Sequence, residues 1–148
     1  LSGVLSPSEM AQRAREMLAN WRDGRIKLLV TAAGLRLRRR LPRLFLEGEY
    51  EPLAAAGQRA DNIVAFARRF QDQAAIVIAP RLVASLTAAG HVLPLGPEVW
   101  GDTVLELPAS FSGRTLRDAV SGRRIAAGPA LPIAQALAIC PVALYLLE

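Results

Sequence analysis

Between Pro7 and Trp21 the apolar residues Met10, Ala14, Met17, Leu18 and Trp21 recur at three- and four-residue intervals, with Arg13, Arg15, Glu16 and Arg22 between them. That period predicts an α-helix with one apolar face. Ser6-Pro7-Ser8-Glu9 supplies its start: a serine hydroxyl to accept the backbone N–H of Glu9, a glutamate to reach back, and proline at the first helical position. Asp23-Gly24 ends it, since glycine enters the left-handed conformation at little cost. A second stripe of Ile26, Leu29, Val30, Ala33 and Leu37 predicts a helix from about Arg25 to Arg40, stopped by Pro42. Arg43 to Leu46 fits one further short turn before Gly48.

Beyond Tyr50 the period shortens. Ile63 to Phe70 and Ala75 to Ala79 read as two strands joined by the polar turn Gln71-Asp72-Gln73. Asp102 to Leu107 alternates and meets Pro108, as a half-buried strand does. Leu116 to Val120 and Arg124 to Ala127 flank a Ser121-Gly122 turn, and Val142 to Leu147 is apolar throughout, the mark of a buried terminal strand. The stretch from Leu82 to Leu95 fits no period. Helices first and short strands afterwards make an α+β chain rather than an alternating one.

Composition narrows the function classes. The 148 residues are 52% hydrophobic, too apolar for a disordered tail, yet no apolar run reaches the roughly 18 residues of a membrane span. The first residues lack the basic flank and apolar core of a signal peptide. The one cysteine, Cys140, sits in an apolar stretch and reads as a core thiol in a reducing compartment, which makes the cytoplasm the expected location. Leu1 in place of methionine predicts a piece of a longer chain. Net charge is +5, but all but one of the 18 basic residues are arginine, Lys27 being the exception. Such a bias, beside abundant alanine, is what a GC-rich genome produces, and it weakens any step from charge to nucleic acid.

Candidate chemistry is thin. Glu47, Glu49 and Glu51 alternate beside Gly48 and Pro52 and would share a side if extended, but they read as a solvated turn. Asp23, Asp61, Asp72 and Asp118 adjoin turn signals, where short carboxylates bond their own backbone. His91 is the sole histidine, with no metal-ligand spacing around it, and no phosphate-binding glycine loop is present. The cluster Arg36, Arg38, Arg39, Arg40 and Arg43 fits a phosphate-binding patch, but lacks interleaved aromatics. The same arginines at a helix C-terminus favour the dipole and would pair with Glu47 to Glu51. Of the tryptophans, Trp21 lies on the first helix's apolar stripe. Trp100, in the loop Glu98 to Asp102, is the weak candidate for stacking on a sugar ring. No catalytic or metal-binding residue is assigned.

One resemblance carries the reading further. Trp21-Arg22-Asp23-Gly24-Arg25-Ile26-Lys27-Leu28 resembles the segment after the last barrel strand of malto-oligosyltrehalose synthases, relatives of the α-amylase-type glycoside hydrolases. The likeness continues in order through Leu37 to Phe45, Gly48 to Leu53, Ala65 to Arg68, Pro80-Arg81-Leu82, Trp100 to Thr103 and Pro141 to Leu144. It implies that residues 1–47 end a (β/α)8 catalytic barrel and that 48–148 form a C-terminal antiparallel β-sandwich. It further implies an isomerase that turns the reducing-end α-1,4 link of a malto-oligosaccharide into an α,α-1,1 trehalose link, without a cofactor. The family's catalytic positions match none of this chain. The implied partners are the rest of the parent polypeptide and its malto-oligosaccharide substrate, not nucleic acid or membrane. The Met10 to Trp21 stripe would then face the barrel, so the chain alone is expected to self-associate or to fold that helix back onto the β-domain. A free-standing carbohydrate-binding module and an arginine-rich nucleic-acid binder are the competing readings.

Overall fold

The computed structural model describes residues 5–87 and 93–148. Helix α1 (Pro7–Ala19) begins as its sequence prescribes: Ser6 Oγ accepts the Glu9 N–H at 3.3 Å, and the Ser6 N–H donates to Glu9 Oε2 at 2.7 Å. A turn of 3-10 helix (Trp21–Asp23) and Gly24, at φ 81°, lead into α2 (Arg25–Arg40). Pro42 then opens α3 (Pro42–Leu46). Gly48 is required here by close approach: a Cβ on it would lie 2.2 Å from the Leu44 carbonyl oxygen.

The strands are β1 (Glu49–Pro52), β2 (Ala55–Ala56), β3 (Ile63–Phe70), β4 (Gln73–Pro80), β5 (Val104–Glu106), β6 (Thr115–Asp118), β7 (Arg124–Ala126), β8 (Ala130–Pro132) and β9 (Ala143–Leu147). They build a six-stranded antiparallel sheet in the order β1-β3-β4-β9-β6-β7 and a three-stranded one in the order β2-β5-β8. The chain is thus α+β, with two antiparallel sheets sharing a core. Short helices α4 (Ala84–Thr87), α5 (Gly96–Trp100) and α6 (Ile133–Ala136) fill the connections.

The period-2 pattern sorts the strands onto two faces. Ile63, Ala65 and Ala67 of β3, Ile76 and Ile78 of β4, and Ala143, Tyr145 and Leu147 of β9 point inward. There they meet Leu105 and Leu131 of the small sheet, with Trp100 of α5 and Ile133 of α6. β9 is apolar on both faces because both are covered. Its outward Leu144 and Leu146 lie with Ala75 and Phe70 under Leu37 of α2 and Leu44 of α3. Helices α1 and α2 also pack Leu18, Ile26 and Ala33 against Val120 of the β6–β7 turn and Cys140. Each large side chain so enclosed contributes about 1.5–3 kcal/mol. The N-terminal helices therefore lie as a layer on the six-stranded sheet.

Candidate functional site

Two facing carboxylates are what sugar chemistry requires, about 5 Å apart for a retaining mechanism. The alternating glutamates do not provide them. Glu47 caps α3 and is held by Arg43, Nε to Oε1 at 3.0 Å, which lowers its carboxyl below the usual range. Glu51 lies in β1 and pairs with Arg69 at 3.0 Å. Expected as one loop face, the three are split between a helix end and a strand. Asp23 accepts the Arg25 backbone N–H at 2.9 Å and Arg25 Nε at 2.7 Å. Those bonds depress its pKa, and both belong to the turn that starts α2.

Asp118 is the carboxylate most enclosed, at 5% exposure. It accepts backbone N–H groups of Val120 at 3.3 Å, Ser121 at 3.0 Å and Leu144 at 3.3 Å, together with the Ser121 hydroxyl. It therefore ties the β6–β7 turn to β9, and its lone pairs are used in doing so. Nearby, the Tyr145 hydroxyl donates to the Ala136 carbonyl at 3.1 Å; burial, then the Asp118 charge, drive its pKa far upward. Burial likewise pushes the Cys140 thiol up, the opposite of an activated nucleophile. Among the described residues no three of His, Cys, Asp and Glu come together as a metal site. His91 lies outside the described residues.

The arginine cluster divides. Arg43 pairs with Glu47 and stacks 4.6 Å from the Phe70 ring centroid. Arg36, Arg38, Arg39 and Arg40 are exposed and make no ion pair among the described residues, so the expected pairing with Glu49 and Glu51 does not form. Of five surface grooves of about 160 to 540 Å3, two are lined by a carboxylate, in both cases Asp72. The groove beside Arg40, Arg43 and Gln73 is one of them, at about 390 Å3.

Both tryptophan expectations reverse. Trp100 is fully enclosed, and its Nε1–H donates to the Pro94 carbonyl at 2.9 Å. Gly96-Pro97 starts a five-residue helix that turns this indole into the core, so it offers no face to a sugar ring. Trp21, expected in the core, is 41% exposed because the 3-10 turn after α1 swings it off the helical stripe. It borders an apolar groove of about 500 Å3 with Leu18, Val30 and Cys140. What the sequence did not disclose is Asn62, buried at the head of β3. Its amide Nδ2 donates to the carbonyls of Arg81 and Leu82 and to Ser85 Oγ, pinning the segment after β4.

The carboxylates described above are held in turns, caps and ion pairs. A structure of a mutant maltooligosyltrehalose synthase from Arthrobacter ramosus superposes with a TM-score of 0.65 and 35% sequence identity, covering 94% of this chain and 16% of that one. The chain is similar to one segment of maltooligosyltrehalose synthase. Two putative maltooligosyl trehalose synthases, from two strains of Mycobacterium tuberculosis, are each 44% identical over 87 residues, 57% of this chain. The chain spans only about a tenth of those synthases' length. No family model matches the sequence. No described helix is long and apolar enough to cross a membrane.

Proposed function

We propose that this chain is the C-terminal accessory region of a maltooligosyltrehalose synthase, with residues 1–47 closing the catalytic barrel and 48–148 forming the β-domain beside it. The observation that carries the reading is the match of 94% of this chain, at 35% identity, to 16% of the Arthrobacter enzyme. The parent enzyme isomerises the reducing end of a malto-oligosaccharide, moving its terminal α-1,4 link to an α,α-1,1 link by intramolecular transglycosylation. The nucleophilic and acid/base carboxylates of that reaction lie elsewhere in the parent polypeptide, where closure keeps water from the covalent intermediate. Within this chain Asp118, Glu47 and Glu51 are committed to structural partners, which supports a non-catalytic part. The one cysteine, buried and unpaired, supports a cytoplasmic location.

The test is to read the native gene on the 5′ side of the Leu1 codon. Barrel strands bearing an Asp, a Glu and a second Asp are expected there. A reading frame that opens at Leu1 would remove the proposal. The reading of a free carbohydrate-binding module loses its one platform residue with the burial of Trp100.

A further inference from the structure

The helix-side face of the six-stranded sheet is mostly apolar over β1, β3, β4 and β9 and turns polar at β6 and β7, where Arg117 and Arg124 stand on it. The helices cover only part of the apolar portion. Over β4 and β9, Ala75, Leu144 and Leu146 lie beneath Leu37 and Leu44. Further along the same face the register sets Phe66 opposite Val77 and Pro52, and Val64 opposite Ala79. Among the described residues this end of the face is only partly covered: Phe66, Val77 and Ala79 are half-buried, Val64 is 44% exposed, and Tyr50, diagonal to Phe66 with ring centroids 4.9 Å apart, is 57% exposed. An antiparallel sheet with one wetted face alternates apolar with polar residues. Ile63-Val64-Ala65-Phe66 does not. A strand with large apolar residues on both sides is built to be covered on both.

We infer that the face formed by Tyr50, Pro52, Val64, Phe66, Val77 and Ala79 is the docking surface for the remainder of the parent polypeptide. The inference rests on the proposed function above. Two observations select this occupant. The synthases that this chain resembles are six to nine times longer than the segment it spans, at 16% and 11% of their lengths, so most of the polypeptide lies outside it. The face also has the composition of an interface core, aromatic and almost uncharged. The matching surface is apolar, with an acceptor opposite the Tyr50 hydroxyl. A sugar is the poorer fit, because its hydroxyls need several oriented polar groups. Here Arg68, which borders the patch beside Tyr50, already donates to the Phe45 carbonyl at 2.9 Å.

The experiment places a thiol on the face by Val64→Cys, with Tyr50→Cys as a second variant, Cys140 being buried. Maleimide labelling is timed on the full-length polypeptide and on the 148-residue chain. Labelling about tenfold or more slower in the full-length protein is expected. Equal rates in both would overturn the docking surface while leaving the proposed function intact; absence of any longer polypeptide would overturn the proposed function itself. Protection that disappears on dilution would assign the face to a second copy. Protection of the 148-residue chain by added maltopentaose would assign it to a sugar. Either result contradicts the inference.

Discussion

Asp118 shows how a single side chain can look like chemistry and serve as architecture. Four donors converge on it: the N–H groups of Val120, Ser121 and Leu144 and the Ser121 hydroxyl. Truncation by Asp118→Ala strands buried donors and should cost about 3 kcal/mol. The check is a lower urea midpoint at unchanged slope, and an unaltered midpoint would mean that water replaces the carboxylate freely. Trp100 is the second residue to test. In a Trp21→Phe background its emission should resist acrylamide and stay constant as maltopentaose is added. Quenching like that of a free indole, or a saturable shift with sugar, would restore it as a platform. The glycine and proline around Trp100 announce a turn in the sequence, but not whether the indole turns in or out. That depends on the space left between α6 and the sheets, a tertiary property.

Individual elements were legible where a period or a cap determined them. α1, α2, the β3–β4 hairpin, the β6–β7 hairpin and the buried β9 follow from the spacing of apolar residues and from Pro7, Gly24 and Pro42. The misses have a common cause. β1 is charged and aromatic in alternation, and β2 and β8 contain two and three residues, so tertiary pairing rather than propensity makes them strands. The cap of α1 is open to direct measurement. Ser6→Ala removes the hydroxyl that accepts the Glu9 N–H and should lower stability by about 1 kcal/mol, read from the thermal midpoint. At the other end of the chain, Glu148 joins β6 and β7 to the C-terminus through Arg117 and Arg124. The Arg117 hydrogen bond lowers its pKa most; burial opposes it, and the Arg124 hydrogen bond and the two arginine charges add to the lowering. A carboxyl depressed in the folded state stabilises it above the ordinary glutamate value of about 4.3 and loses that contribution as pH falls through the lower folded value. Denaturation midpoints between neutral and strongly acid solution should therefore fall less in Glu148→Gln than in the parent chain. Identical pH dependence would show that the pair contributes nothing.

At the scale of the whole molecule, the exposed and buried faces make sense as part of something larger. The N-terminal helices lie on the six-stranded sheet, while Leu28, Leu35 and Leu46, at 71%, 60% and 75% exposure, point away from it. Neither the apolar periods nor the arginine content reveals that arrangement. The order of short segments from Trp21 to Leu144 is what tied the chain to a synthase of which it spans a small share. The most direct test compares the full-length polypeptide with the isolated 148 residues, each incubated with maltopentaose and assayed for loss of reducing ends. Conversion to a non-reducing product by the full-length protein, and none by the 148-residue chain, is the predicted result. Conversion by the 148-residue chain alone, or none by a folded full-length protein, would contradict it.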